Sequence, residues 1–175
     1  ACQSADLTLA DIHSFTDAFF IGGTKMGALL GEALVVRNPA LKKDLRYLIK
    51  QRGALLAKGR ILGVQFEELF KDDLYFRLAE QANQRAQEMV ASLAAEGCRF
   101  WLDSPTNQIF PIMDNQIVDE LTREFDFYIW TRIDKNHSAI RLVTSWATSP
   151  AQCRNFVAAY KKAKRHIQGA HGGAM

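Results

Sequence analysis

The stretch DAFFIGGTKMGA (Asp17–Ala28) runs from β-forming apolar residues through a glycine pair to a single lysine, Lys25. Asp17–Ile21 reads as a short buried strand that Gly22 and Gly23 break, and GEALVVR (Gly31–Arg37) reads as a second buried strand. The connection between them, GGTKMGALLG, has ten residues, and three of its first six are glycine. A lysine on such a loop differs from the lysines that snorkel along surface helices. The small residues, the Thr24 hydroxyl and the close backbone suit a bulky planar group that carries a phosphate. A desolvated amine also has its pKa lowered, as an imine-forming nucleophile requires. Two other readings compete. A phosphate-cradling P-loop needs GxxxxGK[ST], which GGTKMG does not match. A plain hairpin turn with its lysine in water fits the string as it stands, and the string alone does not separate this from a reactive lysine.

Outward from that loop, Thr8 suits the N-cap of a helix over LADIHSF, with Asp11 completing a capping box. Downstream, Asn38 as N-cap and Pro39 at the first helical position start a helix through LKKDLRYLIKQR, with Leu41, Leu45, Leu48 and Ile49 at helical spacing. ALLAKGRILGVQFEELF (Ala54–Phe70) reads as a buried connecting helix. Asp72–Gly97 is the longest element, with Leu78, Ala82, Ala86, Met89 and Leu93 on one apolar stripe and Gly97 as its stop. Then come a strand CRFWL, a turn SPTN, a strand QIFPIM in which Pro111 marks an edge or bulge, and a helix DNQIVDELTREF. Strands DFYIWTR and AIRLVTSW flank the turn DKNHS, and a last helix begins at Pro150. From Asp72 onward the order α-β-β-α-β-β-α predicts a two-layer α/β sandwich. The first 55 residues, β-loop-β-α, enclose no core alone.

The composition narrows the function classes. With 175 residues, 48% hydrophobic and 23% charged, the chain is an ordinary globular domain or somewhat more than one. A net charge of +3 implies neither a dedicated nucleic-acid binder nor an acidic tail, and the basic run KKAKRH (Lys161–His166) suits a helix C-terminus. Cys2, Cys98 and Cys153 are widely spaced with no CxxC pair, so a reducing, cytoplasmic compartment is expected, with neither disulfides nor zinc. His13, His137, His166 and His171 show no ligand spacing, and no metal is expected. The adjacent pairs Glu67-Glu68 and Asp72-Asp73 diverge on a helix and form no acid/base dyad. No apolar run approaches the roughly 18 residues of a membrane span. The opening ACQSADLT lacks a methionine and a flexible lead-in, which reads as a cut through a longer protein, a removed tag or a processed terminus.

DLTLADIHSFTDAFFIGGTKMGALLGEALVV (Asp6–Val36) resembles the cofactor-lysine segment of the low-specificity threonine aldolases. These belong to the aromatic amino acid β-eliminating lyase/threonine aldolase family. The resemblance continues through KQRGALLAKGRILGVQF, SPTNQIFPIM and IRLVTSWATS, in the same order and over essentially the whole chain. It departs from the family at Met26, where asparagine is common. The resemblance implies an aspartate-aminotransferase-like (type I) fold, of which this chain is the C-terminal part. Residues 1–55 are then the end of the large cofactor-binding domain, 56–71 a connecting helix and 72–175 the small α/β domain.

It also implies the site and its chemistry. Lys25 would carry pyridoxal 5'-phosphate as a Schiff base, with Thr24 and Gly23 contacting the cofactor or, alternatively, serving only loop packing. Lys43 and Lys50 lie seven apart and read as one helix face. By resemblance they approach the cofactor phosphate in a partner subunit, and a solvated helix face is the plainer reading. Arg141 sits between Ile140 and Leu142, which point to the opposite sheet face, so it wants a planar anion. The resemblance makes that anion the substrate carboxylate; a structural ion pair with an internal Asp or Glu is the alternative. The turn Ser104–Asn107 reads as structural, with lining of the site entrance as the alternative. The implied reaction splits the Cα–Cβ bond of a 3-hydroxy-α-amino acid into glycine and an aldehyde, in a homodimer or homotetramer. The other grips on the cofactor lie in the family's N-terminal half: a phosphate turn, a stacked histidine and an aspartate on the pyridine nitrogen. The 175 residues alone are therefore expected to be inactive. A β-eliminating lyase and a non-catalytic assembly module are the alternatives.

Overall fold

The computed structural model describes residues 2–172. It divides between Glu80 and Gln81 into two compact units.

The first unit opens with the helices α1 (Cys2–Ala5) and α2 (Leu9–Phe15). The capping box forms as expected. The Asp11 amide donates to Thr8 Oγ1 at 3.1 Å, and the Thr8 amide donates to Asp11 Oδ2 at 2.8 Å. Strand β1 (Ala18–Gly22) pairs antiparallel with β2 (Glu32–Val36), in register from Ala18↔Val36 to Gly22↔Glu32. Both strands form where their apolar runs predict, but they are not buried. Only Ile21 of β1 is inside, and Phe20 is 68% exposed. A two-stranded sheet covers neither of its faces by itself.

Between the strands, Thr24–Met26 makes one 3-10 turn. The Gly23 carbonyl closes it, accepting from the Met26 amide at 2.9 Å and the Ala28 amide at 3.0 Å. Gly27 follows at φ 104°, a conformation that glycine adopts without steric cost. Gly23 is there for close approach: a Cβ on it would lie 2.8 Å from Ala28 Cβ and 3.2 Å from the Gly31 carbonyl oxygen.

The helix expected after Asn38 is two helices, α3 (Pro39–Lys42) and α4 (Leu45–Gln51). Asn38 caps the first, its Oδ1 accepting from the Ala40 amide at 2.9 Å. The break falls at Lys43, which is extended, and Asp44, which takes the left-handed conformation at φ 57°. Aspartate tolerates that conformation better than most side chains, so the helical periodicity of the leucines is overridden. Helix α5 (Arg60–Phe70) starts later than expected and buries only Leu69 among its residues. A short 3-10 turn (Lys71–Asp73) leads into α6 (Leu74–Ala95). The Phe70 ring stacks on Tyr75 at 5.2 Å, and the Tyr75 hydroxyl donates to the Gly22 carbonyl at 2.9 Å.

The second unit is the expected sandwich. Its antiparallel sheet contains β3 (Arg99–Phe100), β4 (Gln108–Ile109), β5 (Pro111–Asp114), β6 (Tyr128–Arg132) and β7 (His137–Val143). Strand β7 pairs with β4, β5 and β6, and β5 also pairs with β3. Pro111 marks neither an edge nor a bulge. It lies between β3 and β7, and the register against β7 is the same before it (Ile109↔Leu142) and after it (Ile112↔Ala139). Having no N–H, it removes a ladder bond and divides β4 from β5 without shifting the pairing.

Helices α7 (Asn115–Leu121) and α8 (Pro150–Gly172) complete the unit, α8 being one residue longer than α6 at 23 against 22. Ala82, Ala86, Met89 and Leu93 of α6 are buried as one stripe, and α8 contributes Cys153, Phe156, Val157, Tyr160 and Ala163. Ile140 and Leu142 of β7 belong to the same core. Gly97, at φ 77°, ends the turn after α6. Burial pushes the Cys98 thiol up, and it pushes the neighbouring Tyr160 hydroxyl up to about 12. Among the described residues no helix is long and apolar enough to cross a membrane.

Three outcomes test this architecture. Leu93→Ala, which empties a fully buried position, is expected to cost about 2–5 kcal/mol in urea denaturation. Because the folded Tyr160 pKa lies above the ordinary 10.0, its contribution is complete below pH 10 and is lost as pH climbs towards 12. The alkaline fall in stability should therefore be shallower in Tyr160→Phe. Gly23→Ala is expected to speed hydrogen exchange at the Met26 and Ala28 amides. Gly22→Ala, whose Cβ would meet nothing within 4 Å, should leave those amides protected.

Candidate functional site

Lys25 is the middle residue of the closed 3-10 turn, so its Cα is held by the two bonds to the Gly23 carbonyl. Its side chain is exposed, and the strands on either side do not supply the expected desolvation because they are themselves open. Among the described residues no carboxylate forms an ion pair with Lys25. Thr24 is exposed beside it, while Gly23 is buried. Met26, where the family resemblance leads one to expect asparagine, is 8% exposed and packs inward. The turn therefore presents a primary amine and an adjacent hydroxyl, with room beside Gly22. Those groups fit the carbonyl and the polar substituents of a planar cofactor.

Lys43 and Lys50 are exposed, but they do not share a helix face. Lys43 is the residue that ends α3, and Lys50 lies in α4 beyond the left-handed Asp44. The seven-residue spacing predicts a common face only in an unbroken helix.

Arg141 belongs to the second unit. It projects from the face of β7 opposite Ile140 and Leu142, as the alternation requires. Its Nε is buried with no hydrogen-bond partner, and no ion pair forms to it among the described residues. The alternative of an internal Asp or Glu partner is therefore not realised there. The guanidinium lies over two aromatic rings instead, with Cζ 5.0 Å from the Tyr128 centroid and 5.5 Å from that of Trp130. Sequence reasoning missed both. The available signal was two aromatic residues at i and i+2 in DFYIWTR, the hairpin partner of the arginine strand.

The remaining candidates have local partners. Ser104 Oγ and Thr106 Oγ1 are 3.0 Å apart, and Asn107 Nδ2 donates to the Thr144 carbonyl at 2.7 Å, so this turn is structural. His137 Nδ1 lies 3.0 Å from Asp134 Oδ1, and His166 Nδ1 lies 2.7 Å from Glu120 Oε1. The side chain of His171 lies outside the described residues.

No family model matches the chain. It is 31% identical over 160 residues to the low specificity L-threonine aldolase of Pseudomonas sp. (strain NCIMB 10558), a match over 90% of this chain and 44% of the relative. The corresponding protein of Pseudomonas aeruginosa is 30% identical over 156 residues, covering 87% and 43%. Among solved structures, Leishmania major threonine aldolase superimposes with a TM-score of 0.87 at 48% identity, over 93% of this chain and 48% of that one. Sphingomonas wittichii serine palmitoyltransferase superimposes with a TM-score of 0.65 at 13% identity, over 90% and 42%, which bears on the fold alone. The chain thus has the aspartate-aminotransferase-like (type I) α/β fold and spans under half the length of the curated relatives it matches. Over that span it is a homologue of the low-specificity L-threonine aldolases.

Proposed function

We propose that this chain is the lysine-bearing part of a pyridoxal-phosphate-dependent aldehyde-lyase that cleaves 3-hydroxy-α-amino acids to glycine and an aldehyde. The observation that carries the reading is the match to threonine aldolases along nine-tenths of the chain. The exposed amine of Lys25 on its closed turn supplies the chemistry the reading needs.

Lys25 Nζ is the atom that would hold the cofactor covalently, and Thr24 and Gly23 would flank it. Bound pyridoxal 5'-phosphate supplies the electron sink that makes a bond to Cα breakable. Lys25, as a free amine, is then placed to take up and return a proton. Arg141 would bind the substrate carboxylate through its unspent N–H groups. Lys43 and Lys50 would supply positive charge towards a phosphate, Lys43 from the break after α3 and Lys50 from α4. The remaining contacts to the cofactor would come from the portion of the relatives that this chain does not span, so activity would require it. We assign residues 1–55 to the end of the large domain, 56–71 to the connecting helix and 72–175 to the small domain. A cytoplasmic homo-oligomer, dimeric or tetrameric, completes the reading.

The test supplies the chain with pyridoxal phosphate and the complementary segment of a relative, then assays L-threonine. Glycine and acetaldehyde are the expected products; 2-oxobutyrate would instead indicate β-elimination. Borohydride should fix the cofactor on Lys25. Persistence of that label in Lys25→Ala would overturn the assignment, and an assembled protein that takes up no cofactor would indicate an assembly module.

A further inference from the structure

The grip on Arg141 is unusual in what it leaves unused. A carboxylate partner would hold a guanidinium by its N–H edge and consume the donors that make it useful to a ligand. Aromatic rings hold it by the charge over their faces and leave the in-plane N–H groups unspent. The second buried unpaired guanidinium nitrogen among the described residues, Nε of Arg85, shows the contrast, because Arg85 Nη1 is engaged by Glu88 at 2.5 Å. Arg141 has no such partner there.

The two rings are themselves fixed. Tyr128 stands directly opposite Arg141 in the β6–β7 register, where cross-strand side chains meet most closely. Trp130 is the extra residue of an irregularity in β6, since Ile129 pairs with Ile140 and Thr131 with Ala139. A bulge of this kind twists the strand and re-aims the side chain it carries. Trp130 then packs against Phe110 at 5.2 Å and Trp101 at 6.2 Å, and Phe110 is buried. Arg141 is itself half-buried: its Nε is enclosed, and the Nη groups are the part of its N–H edge that a ligand can reach.

We propose that Tyr128 and Trp130 are positioning residues that hold Arg141 by its charge and keep its N–H edge free for the carboxylate of the amino-acid substrate. This rests on the reading of Arg141 given above, and it adds the specificity device. The rings fix orientation without neutralising the charge, so the site stays selective for a planar anion.

The test has one readout on the protein itself and one on catalysis. In the 175-residue chain, NMR relaxation of the Arg141 Nε–H should report an ordered group. Trp130→Leu and Tyr128→Leu should make it mobile, while Trp130→Phe and Tyr128→Phe keep it ordered. In the cofactor-loaded assembly, Trp130→Leu should raise KM for L-threonine by about tenfold and leave kcat within about threefold, with Trp130→Phe restoring KM. An Nε–H that stays ordered in both leucine variants overturns the proposal. So does an active, folded Trp130→Leu whose KM matches wild type. Failure of the wild type to cleave L-threonine would sink the functional reading instead, and the order of Nε–H would then decide this inference alone.

Discussion

The two-residue alternation along β7 is the constraint on which the second unit turns. Ile140 and Leu142 enter a core shared with α6, α7 and α8, and Ile140 is wholly excluded from solvent. Shifting the strand by one residue would put Arg141 among Leu93, Met113 and Val118 and turn the core residues outward. An unpaired guanidinium in that core is prohibitively unfavourable, so the hydrophobic register also fixes where the cation points. Strands β4, β5 and β6 take their register from β7. The ring of Tyr128 opposite Arg141 is thus a consequence of the same alternation.

The loop of Lys25 is built on another principle. Its geometry comes from backbone hydrogen bonds to the Gly23 carbonyl, from a left-handed Gly27, and from the close approach that only a glycine at position 23 allows. Side-chain bonds add to it: Tyr75 donates to the Gly22 carbonyl, and Gln65 accepts from the Leu29 amide. Such a turn holds its lysine Cα in place while the side chain stays free to sample rotamers. A covalent anchor for a ligand suits this arrangement, because the bond supplies the final ordering that packing does not.

Much of the second unit could be read in the sequence because its signals are local and mutually consistent. The stripe of Ala82, Ala86, Met89 and Leu93, the stop at Gly97 and the start at Pro150 each specify one element, and burial agrees with them. The errors share a cause as well. Leucine spacing predicts a helix across Lys43 and Asp44, yet one left-handed aspartate breaks it, and nothing in the hydrophobic pattern announces that choice. Pro111 reads as an edge or bulge because it cannot donate a ladder bond, but its position between two neighbours is a property of sheet order that the sequence does not carry. The proposed site is suggested at Lys25 and Arg141, where residue type and flanking pattern conflict with a bland role. Tyr128 and Trp130 were not legible, since their role exists only across a strand pair.

These differences separate where stability resides from where the proposed chemistry resides. The second unit has the contiguous buried core, and large-to-small changes there act on global unfolding. The first unit leaves Phe20, Leu29 and Leu30 largely open and holds the Lys25 turn largely through backbone geometry. Local opening of a turn with few buried contacts requires far less free energy than global unfolding. A denaturation midpoint therefore reports on β7 and its helices and is nearly blind to the order of the Lys25 loop. Amide protection at Met26 and Ala28 is the quantity that follows that loop, so the two units answer to different measurements even within one chain.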